Sequence, residues 1–565
     1  MMTLSEVQKI PKVLIFGNGP TAQETAGQLL DLGYEIIEIN PAEDFSQDIS
    51  CPATGSSPVQ DYMEKWGTLA NNPRYVLFNQ TALQTIEGFA GEFQVRLKRD
   101  QKEWIETVGA IVLAPELIST GRFEDYALTP SNQIMTLEEL NAAVCSSGEG
   151  IEGKAEKETR LKGLTPQTYV AFLVGLKAEG NVLDMARTLS LAQELGRKYQ
   201  SQICVFCRNV KVAEEGLERL YQACRDEGVL FFKFDDEGPE IIRSGERVIL
   251  HFTDMVLSQP FELVPDLLVL DSVHSLSEKL QGLAVSARIN TDGNGLLQPA
   301  NVHLLPQASN RAGIFLAGPG KGPLLPRTGL EEAKAAALMV HHFFQGETLE
   351  NQQREVTVDK GLCTICLTCL RFCPHQAIGW SHRIFIHPLA CQRCGICASE
   401  CPMDAIQIAG YADLEVESKL TRFRQKWQEV ETTQPKVVIF GCQRSAGVAW
   451  EEVQRSTFNV KGHLDFISLP CAGKLDPDYV LKVLAMGADG VVVLACPEEN
   501  CKSIYGNTYA HGRFEEIRDY VEETGFDPRR IRFEYLSSNM VWKLKEIMEE
   551  WMEELGGMIN QQSAA

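Results

Sequence analysis

Two short runs of the chain concentrate the residues best able to do chemistry. Cys363, Cys366, Cys369 and Cys373 are separated by two, two and three residues, and Pro374 follows. Cys391, Cys394, Cys397 and Cys401 repeat that spacing before Pro402. A four-iron cubane needs a thiolate at each corner. Three closely spaced cysteines on one tight loop reach three irons, and in a doubled run the fourth cysteine ligates the other cluster. The spacing therefore predicts one [4Fe–4S] cluster on Cys363, Cys366, Cys369 and Cys401, and a second on Cys391, Cys394, Cys397 and Cys373. Structural zinc is the alternative, but it takes four ligands per ion from paired two-cysteine knuckles. A three-plus-one pattern with a trailing proline, present twice, disfavours it. His375 and His387 lie nearby and read as loop residues, since eight thiolates already serve both clusters.

Four further cysteines are spread more widely. Cys442, Cys471 and Cys496 each close a strand-like run, KVVIFGC, DFISLPC and DGVVVLAC, and Cys501 follows five residues later. In a parallel sheet the carboxyl ends of the strands share one edge, where open α/β folds place their sites. The four thiols are thus expected to converge as a [2Fe–2S] site, with zinc as the rival and independent buried cysteines as the plain alternative. Cys204 and Cys207 also form a CxxC, but they lie inside a strand-like run and read as packing.

A third signal lies near the start. Gly17-Asn18-Gly19-Pro20-Thr21-Ala22 follows an apolar strand and opens a helix. Glycines there allow a tight turn and a close approach of pyrophosphate to the helix N-terminus. The end of the second strand, where an acidic residue is expected, carries Asn40. The motif predicts a dinucleotide site, or a β-α-β unit that has lost its nucleotide.

The elements that must position these groups divide the chain into four. Residues 1–345 alternate strand and helix patterns: strands at Val13–Phe16 and about 34–39, then QTYVAFLVGL, QICVFCRNV, DLLVLDS and GIFLAG, with helices at about 21–32, 181–199 and 329–344. Residues 346–410 hold the paired runs. Residues 411–434 read as a solvated helical linker. Residues 435–565 read as a parallel α/β domain with helices at about 443–454, 477–487, 512–525 and 539–555 and a frayed tail. Apart from the doubled cysteine run, no internal repeat is visible. The formal net charge of -23 argues against nucleic acid or an anionic membrane as main partner. No stretch has about 18 uninterrupted apolar residues, and the start lacks a signal-peptide pattern, so a cytoplasmic protein is expected. Twelve of the 17 cysteines fall between Cys363 and Cys501, which in a reducing compartment points to metal.

Several stretches resemble known families. The paired runs resemble a bacterial-type two-[4Fe–4S] ferredoxin. GCQRSAGVAWEEVQ, LPCAGKLDP and GADGVVVLACPEENCKSIYGN resemble the delta subunit of methyl-viologen-reducing hydrogenase, over about 435–545. That resemblance implies a [2Fe–2S] cluster and a heterodisulfide-reductase partner; where the family has a second cysteine this chain has Ser445. ALQTIEGFAGEFQVRL, VGAIVLAP and AGIFLAGPGKGPLLPRTGLEEAKAAA resemble the FAD domain of the heterodisulfide reductase A subunits, over about 10–410. This implies a thioredoxin-reductase-like FAD-binding fold, with Gly318 and Gly322 near the flavin. The family's adjacent-cysteine motif is absent, a double glycine is missing from PAEDFSQD, and Ala114-Pro115-Glu116 stands where Ala-Thr-Gly is expected. The order flavin domain, cubane pair, delta-like domain is similar to the B subunits of the quinone-interacting membrane-bound oxidoreductases of sulfate reducers. The resemblance implies an electron-transfer oxidoreductase component of anaerobic metabolism and sulfate reduction, held at the inner face of a membrane through partner subunits. A self-contained NAD(P)H-dependent flavin oxidoreductase is the rival and would need a second nucleotide site. A conducting adaptor with a lost flavin site is a third reading. No catalytic acid or base is identified.

Overall fold

The computed structural model describes residues 9–17, 19–41, 69–145, 161, 163–235, 238–244, 247–302, 305–346, 356–429, 434–456, 462–498 and 500–564. Asn18, Cys51, the PAEDFSQD stretch after its first residue, and most of the polar connection into the cysteine runs lie outside these residues.

The N-terminal region holds two parallel sheets of five strands each. In the first, the strands run in the order Ile314–Leu316, Ala110–Leu113, Lys12–Phe16, Glu35–Asn40, Tyr75–Asn79. In the second the order is Leu230–Lys233, Gln202–Cys207, Tyr169–Val174, Leu267–Leu270, Ile134–Thr136. Both sheets are buried on their two faces, which is why Val13–Phe16, Val170–Val174 and Leu267–Leu270 are continuous apolar runs. Each sheet also has the same excursion. After its third βαβ strand the chain makes a three-stranded antiparallel meander, at 82–108 in one case and 240–263 in the other, then returns to the parallel sheet. The sequence expectation of no repeat beyond the cysteine runs is corrected here. The two units share connectivity and burial pattern, and such a repeat leaves no trace of identical residues. Two antiparallel strands, Ile118–Gly121 and Ser272–Ser275, join the units. Cys204 and Cys207 sit in the second sheet, buried in cores on opposite faces, as packing residues.

The paired runs fold as a pseudo-symmetric unit. Cys363 and Cys391 begin runs that are twenty-eight positions apart, and the backbone follows the same offset. Ile365 and Arg393, Leu367 and Gly395, and Gln376 and Asp404 all take positive φ, between 48° and 86°. Each run ends in one short helical turn, Thr368–Phe372 or Ile396–Ser399, and the unit closes with two small antiparallel pairs.

The C-terminal domain is a four-stranded parallel sheet in the order His463–Leu469, Lys436–Cys442, Gly490–Ala495, Ile531–Tyr535. The helix Asp413–Gln428 was expected as a solvated linker, and that expectation is corrected. Val416, Leu420 and Trp427 are buried in the C-terminal core, and Trp427 Nε1 donates to Asp465 at 2.8 Å. Its apolar stripe is narrow and flanked by Lys, Arg and Glu, so the charged faces masked it. The tail expected to fray continues the last helix, Val541–Ala564.

Candidate functional site

Thiols of the paired runs gather in two separate places. Cys363, Cys366, Cys369 and Cys401 line one small cavity. Cys373, Cys391, Cys394 and Cys397 line another. This is the crossed grouping that the spacing predicts, with the fourth cysteine of each run supplied to the other set. The crossing arises because each short helical turn carries its last cysteine away from its own loop. Backbone N–H groups already point at the crossing sulfurs: Ala377 N lies 3.4 Å from Cys373 Sγ and Ala405 N lies 3.3 Å from Cys401 Sγ. Burial pushes Cys369 and Cys391 up to about 11 and Cys394 to about 12. Thiols in such surroundings stay protonated unless a cation compensates them. His375 and His387 are buried, and eight thiols fill both sets without them; burial lowers both to about 4, and His387 stacks on Phe89.

In the C-terminal domain the sheet places Cys442 at the end of one strand, Cys471 two residues past a second and Cys496 directly after a third. Cys501 joins them, and all four line one cavity of about 730 Å³. The thiols form a chain of contacts, from Cys442 to Cys496, from Cys496 to Cys501 and from Cys501 to Cys471. Hydrogen bonding between Cys442 and Cys496 lowers the pKa of the first and raises that of the second, and Cys501 and Cys471 are related in the same way. Gly506 is required beside them, since a Cβ there would stand 2.2 Å from Cys471 Sγ and 3.3 Å from Cys501 Sγ. Arg444 and Lys502 line the same cavity.

Among the described residues, Glu138, Asp184 and His274 bring three potential ligand atoms within 4.8 Å of one another. The Glu138 group is an internal hydrogen-bond network instead: His274 Nε2 meets Asp184 Oδ1 at 2.9 Å, and Ser119 Oγ meets His274 Nδ1 at 2.9 Å.

The three thiol cavities form a row: Cys369 of one set lies near Cys397 of the next, and that set adjoins the C-terminal cavity. Cys394 packs directly against the buried group of Cys442, Cys471, Cys496 and Cys501. The seam between the two domains is polar and buried. Ser399 Oγ donates to the carbonyl of Lys474 at 2.8 Å, and Lys474, 1% exposed, is held on the C-terminal side by Asp413 at 3.1 Å and the Tyr479 hydroxyl at 2.7 Å. Arg513 Nη2 meets Glu400 at 2.9 Å, and its Nη1 donates to the carbonyl of Gly473 at 2.9 Å. At the far end of the row, Cys366 is exposed, with Leu362, Ile365 and Met403 exposed around it.

At the N-terminal turn, Gly17 lets the backbone close on Ala114, whose carbonyl oxygen would lie 2.0 Å from a Cβ at that position. Pro20 starts the helix, and no side chain caps its N-terminus. Thr21 meets Gly318 and Gly329, where a Cβ at either glycine would stand 2.9 or 2.8 Å from the Thr21 hydroxyl. Ala22 is fully buried behind the turn. Asn40 ends the second strand and donates to Asn79 Oδ1 at 3.2 Å. Gly322 is not drawn into these contacts. A bare glycine turn at an uncapped helix fits a dinucleotide. The Glu116 carboxyl, however, rests on Gly19, so a pyrophosphate needs that side chain to turn away. Sequence reasoning noted Glu116 only as a departure and gave no signal for Gly506.

The comparisons with known proteins follow the same division. The family model for the methyl-viologen-reducing hydrogenase delta subunit matches residues 437–558, and a 4Fe-4S binding domain model matches 384–407. The A subunit of the ferredoxin:CoB-CoM heterodisulfide reductase of Methanosarcina mazei is 24% identical over 466 residues, which are 79% of this chain and 57% of that protein. The iron-sulfur D subunit of the F420-non-reducing hydrogenase of Archaeoglobus profundus is 28% identical over 121 residues, 21% of this chain and 88% of that one. Among solved structures, thioredoxin reductase of Lactococcus lactis overlaps 59% of this chain and 99% of its own, with TM-score 0.38 and 14% identity. The chain is homologous to heterodisulfide reductase A subunits, spanning little more than half the length of the first of them, and its C-terminal region carries the hydrogenase delta-subunit domain.

Proposed function

We propose that the chain is an electron-transfer oxidoreductase component of a heterodisulfide-reductase-like or quinone-interacting complex. The observation that carries this reading is the row of three thiol sets, with Cys394 in contact with the C-terminal four. Iron–sulfur clusters supply one-electron chemistry when bound, and FAD, which exchanges two electrons, joins pair donors to single-electron carriers. Two [4Fe–4S] clusters belong to the crossed sets. A [2Fe–2S] cluster suits the C-terminal set of Cys442, Cys471, Cys496 and Cys501. FAD suits the turn at Gly17 and Gly19 with the facing Gly318.

The residues of the chain do the positioning. Glu400 with Arg513, and Ser399 with the Lys474 carbonyl, fix the seam, so that the buried Cys394 set keeps one orientation to the C-terminal cavity. The apolar rim of Leu362, Ile365 and Met403 leaves the Cys366 edge open to a partner protein. Anaerobic purification with partners attached tests the reading. About ten irons, ten sulfides and one FAD per chain are expected. Zinc in the thiol sets, or no paramagnetic signal after dithionite, overturns it.

One observation favours a second reading, the NAD(P)H-dependent oxidoreductase. The second parallel sheet repeats the strand-turn-helix arrangement, with Gly175 in the left-handed region before the helix Val182–Tyr199, whose N-cap is Asn181. There, however, the Asp271 carboxylate accepts the Gly175 N–H at 2.8 Å, placing a negative charge where a nucleotide phosphate would sit. Reduction of the purified chain by NADH or NADPH separates the two readings.

A further inference from the structure

Ser445 follows Cys442 by three positions and precedes the helix Ala446–Arg455. A serine at that position ordinarily caps the helix through its hydroxyl. Here it does not: no side-chain cap hydrogen bond forms. The residue is 6% exposed, and its Oγ has no hydrogen-bond partner within the protein. It lines the same cavity as Cys442, Cys471, Cys496 and Cys501. A buried hydroxyl with no partner carries a desolvation cost of about 1–3 kcal/mol unless something accepts from it. The acceptors lining this cavity include the four cysteine sulfurs, and Cys442 is the one of them three residues from Ser445.

We propose that Ser445 donates a hydrogen bond to a sulfur of the cluster held by the four C-terminal cysteines, and thereby raises that cluster's reduction potential. The inference rests on the reading that these cysteines hold a cluster. Hydrogen bonds to cluster sulfurs stabilise the more negative, reduced state and are one of the means by which a protein sets the potential. Ser445 is a tuning residue in this arrangement. The four cysteines complete the ligand set without it.

The test uses the full-length chain, purified anaerobically, with Ser445→Ala and Ser445→Thr compared by iron analysis and EPR-monitored redox titration. Ser445→Ala is expected to keep the iron content and lower the reduction equilibrium constant of the C-terminal cluster about tenfold, a shift of about 59 mV for one electron. Ser445→Thr, which keeps the hydroxyl, is expected to restore the potential. An unchanged potential in Ser445→Ala at full iron content overturns the inference and leaves the cluster reading intact. Loss of C-terminal iron in Ser445→Ala also overturns it, since the hydroxyl would then be a ligand. About eight irons in the unsubstituted chain overturns both the inference and the reading beneath it.

Discussion

Replacing Gly506 with alanine gives a sharp test of whether the four C-terminal thiols act as one ligand set. The new methyl group would stand 2.2 Å from Cys471 Sγ and 3.3 Å from Cys501 Sγ. Ordinary contact requires about 3.5–4.0 Å, so the Cys471 sulfur must retreat by more than about 1 Å. Metal–ligand distances tolerate only about 0.2 Å of error, and a displaced ligand of that kind abolishes the site. Gly506 is the first residue of a helix, Gly506–Glu523, so alanine otherwise favours folding by up to about 1 kcal/mol. The variant is therefore expected to fold and to lose only the C-terminal metal. Iron analysis should fall from about ten to about eight per chain, with the two cubane signals unchanged. Full iron content with an unaltered C-terminal EPR signal would refute the reasoning, because Cys471 could not then be a ligand in this geometry.

Lys474→Met removes a buried ammonium from Asp413 and Tyr479, and should lower unfolding stability by about 2–3 kcal/mol. Removing one partner of a fully buried pair costs about 3–5 kcal/mol, reduced here because Asp413 is about a third exposed; anaerobic urea unfolding measures it. Cys401→Ser should disturb the cluster at the exposed Cys366 edge, and Cys373→Ser the cluster beside Cys394, as read by EPR of each variant. Glu38 is 1% exposed, and burial raises it from 4.5 to about 7, opposed by the Tyr75 hydroxyl that donates to it. Its folded pKa lies above the unfolded one, so its contribution is full below pH 4.5 and is lost as the pH rises through 7. The loss amounts to about 3 kcal/mol. In melting curves, Glu38→Gln should gain on the parent chain as pH rises across that window, and parallel curves would contradict the assignment.

The crossed grouping was readable because it depends on local spacing: the short helical turn before Cys373 and before Cys401 directs each away from its own loop. The C-terminal four were readable for a different reason. Strand ends of a parallel sheet share an edge, and three cysteines mark those ends. What escaped was tertiary. The duplication of the parallel sheets is a repeat of connectivity, and Val170–Val174 need not resemble Val13–Phe16 residue by residue to occupy the same place. The helix at 413–428 hid its apolar stripe of Val416, Leu420 and Trp427 among charges. Gly506 gave no sign, because its importance is a distance to a sulfur from another strand. Gly322, expected at the flavin, stands apart from the Thr21 contact that draws Gly318 and Gly329 together.

The exchange of Cys373 and Cys401 between runs has a consequence for how the protein is made. Neither half of the ferredoxin-like unit owns a complete set of corners, so a chain that has received one cubane has also pinned a residue of the other half. Loading should then proceed as a single cooperative event. Iron-limited preparations should then hold chains with both sets filled or neither, with few half-filled ones.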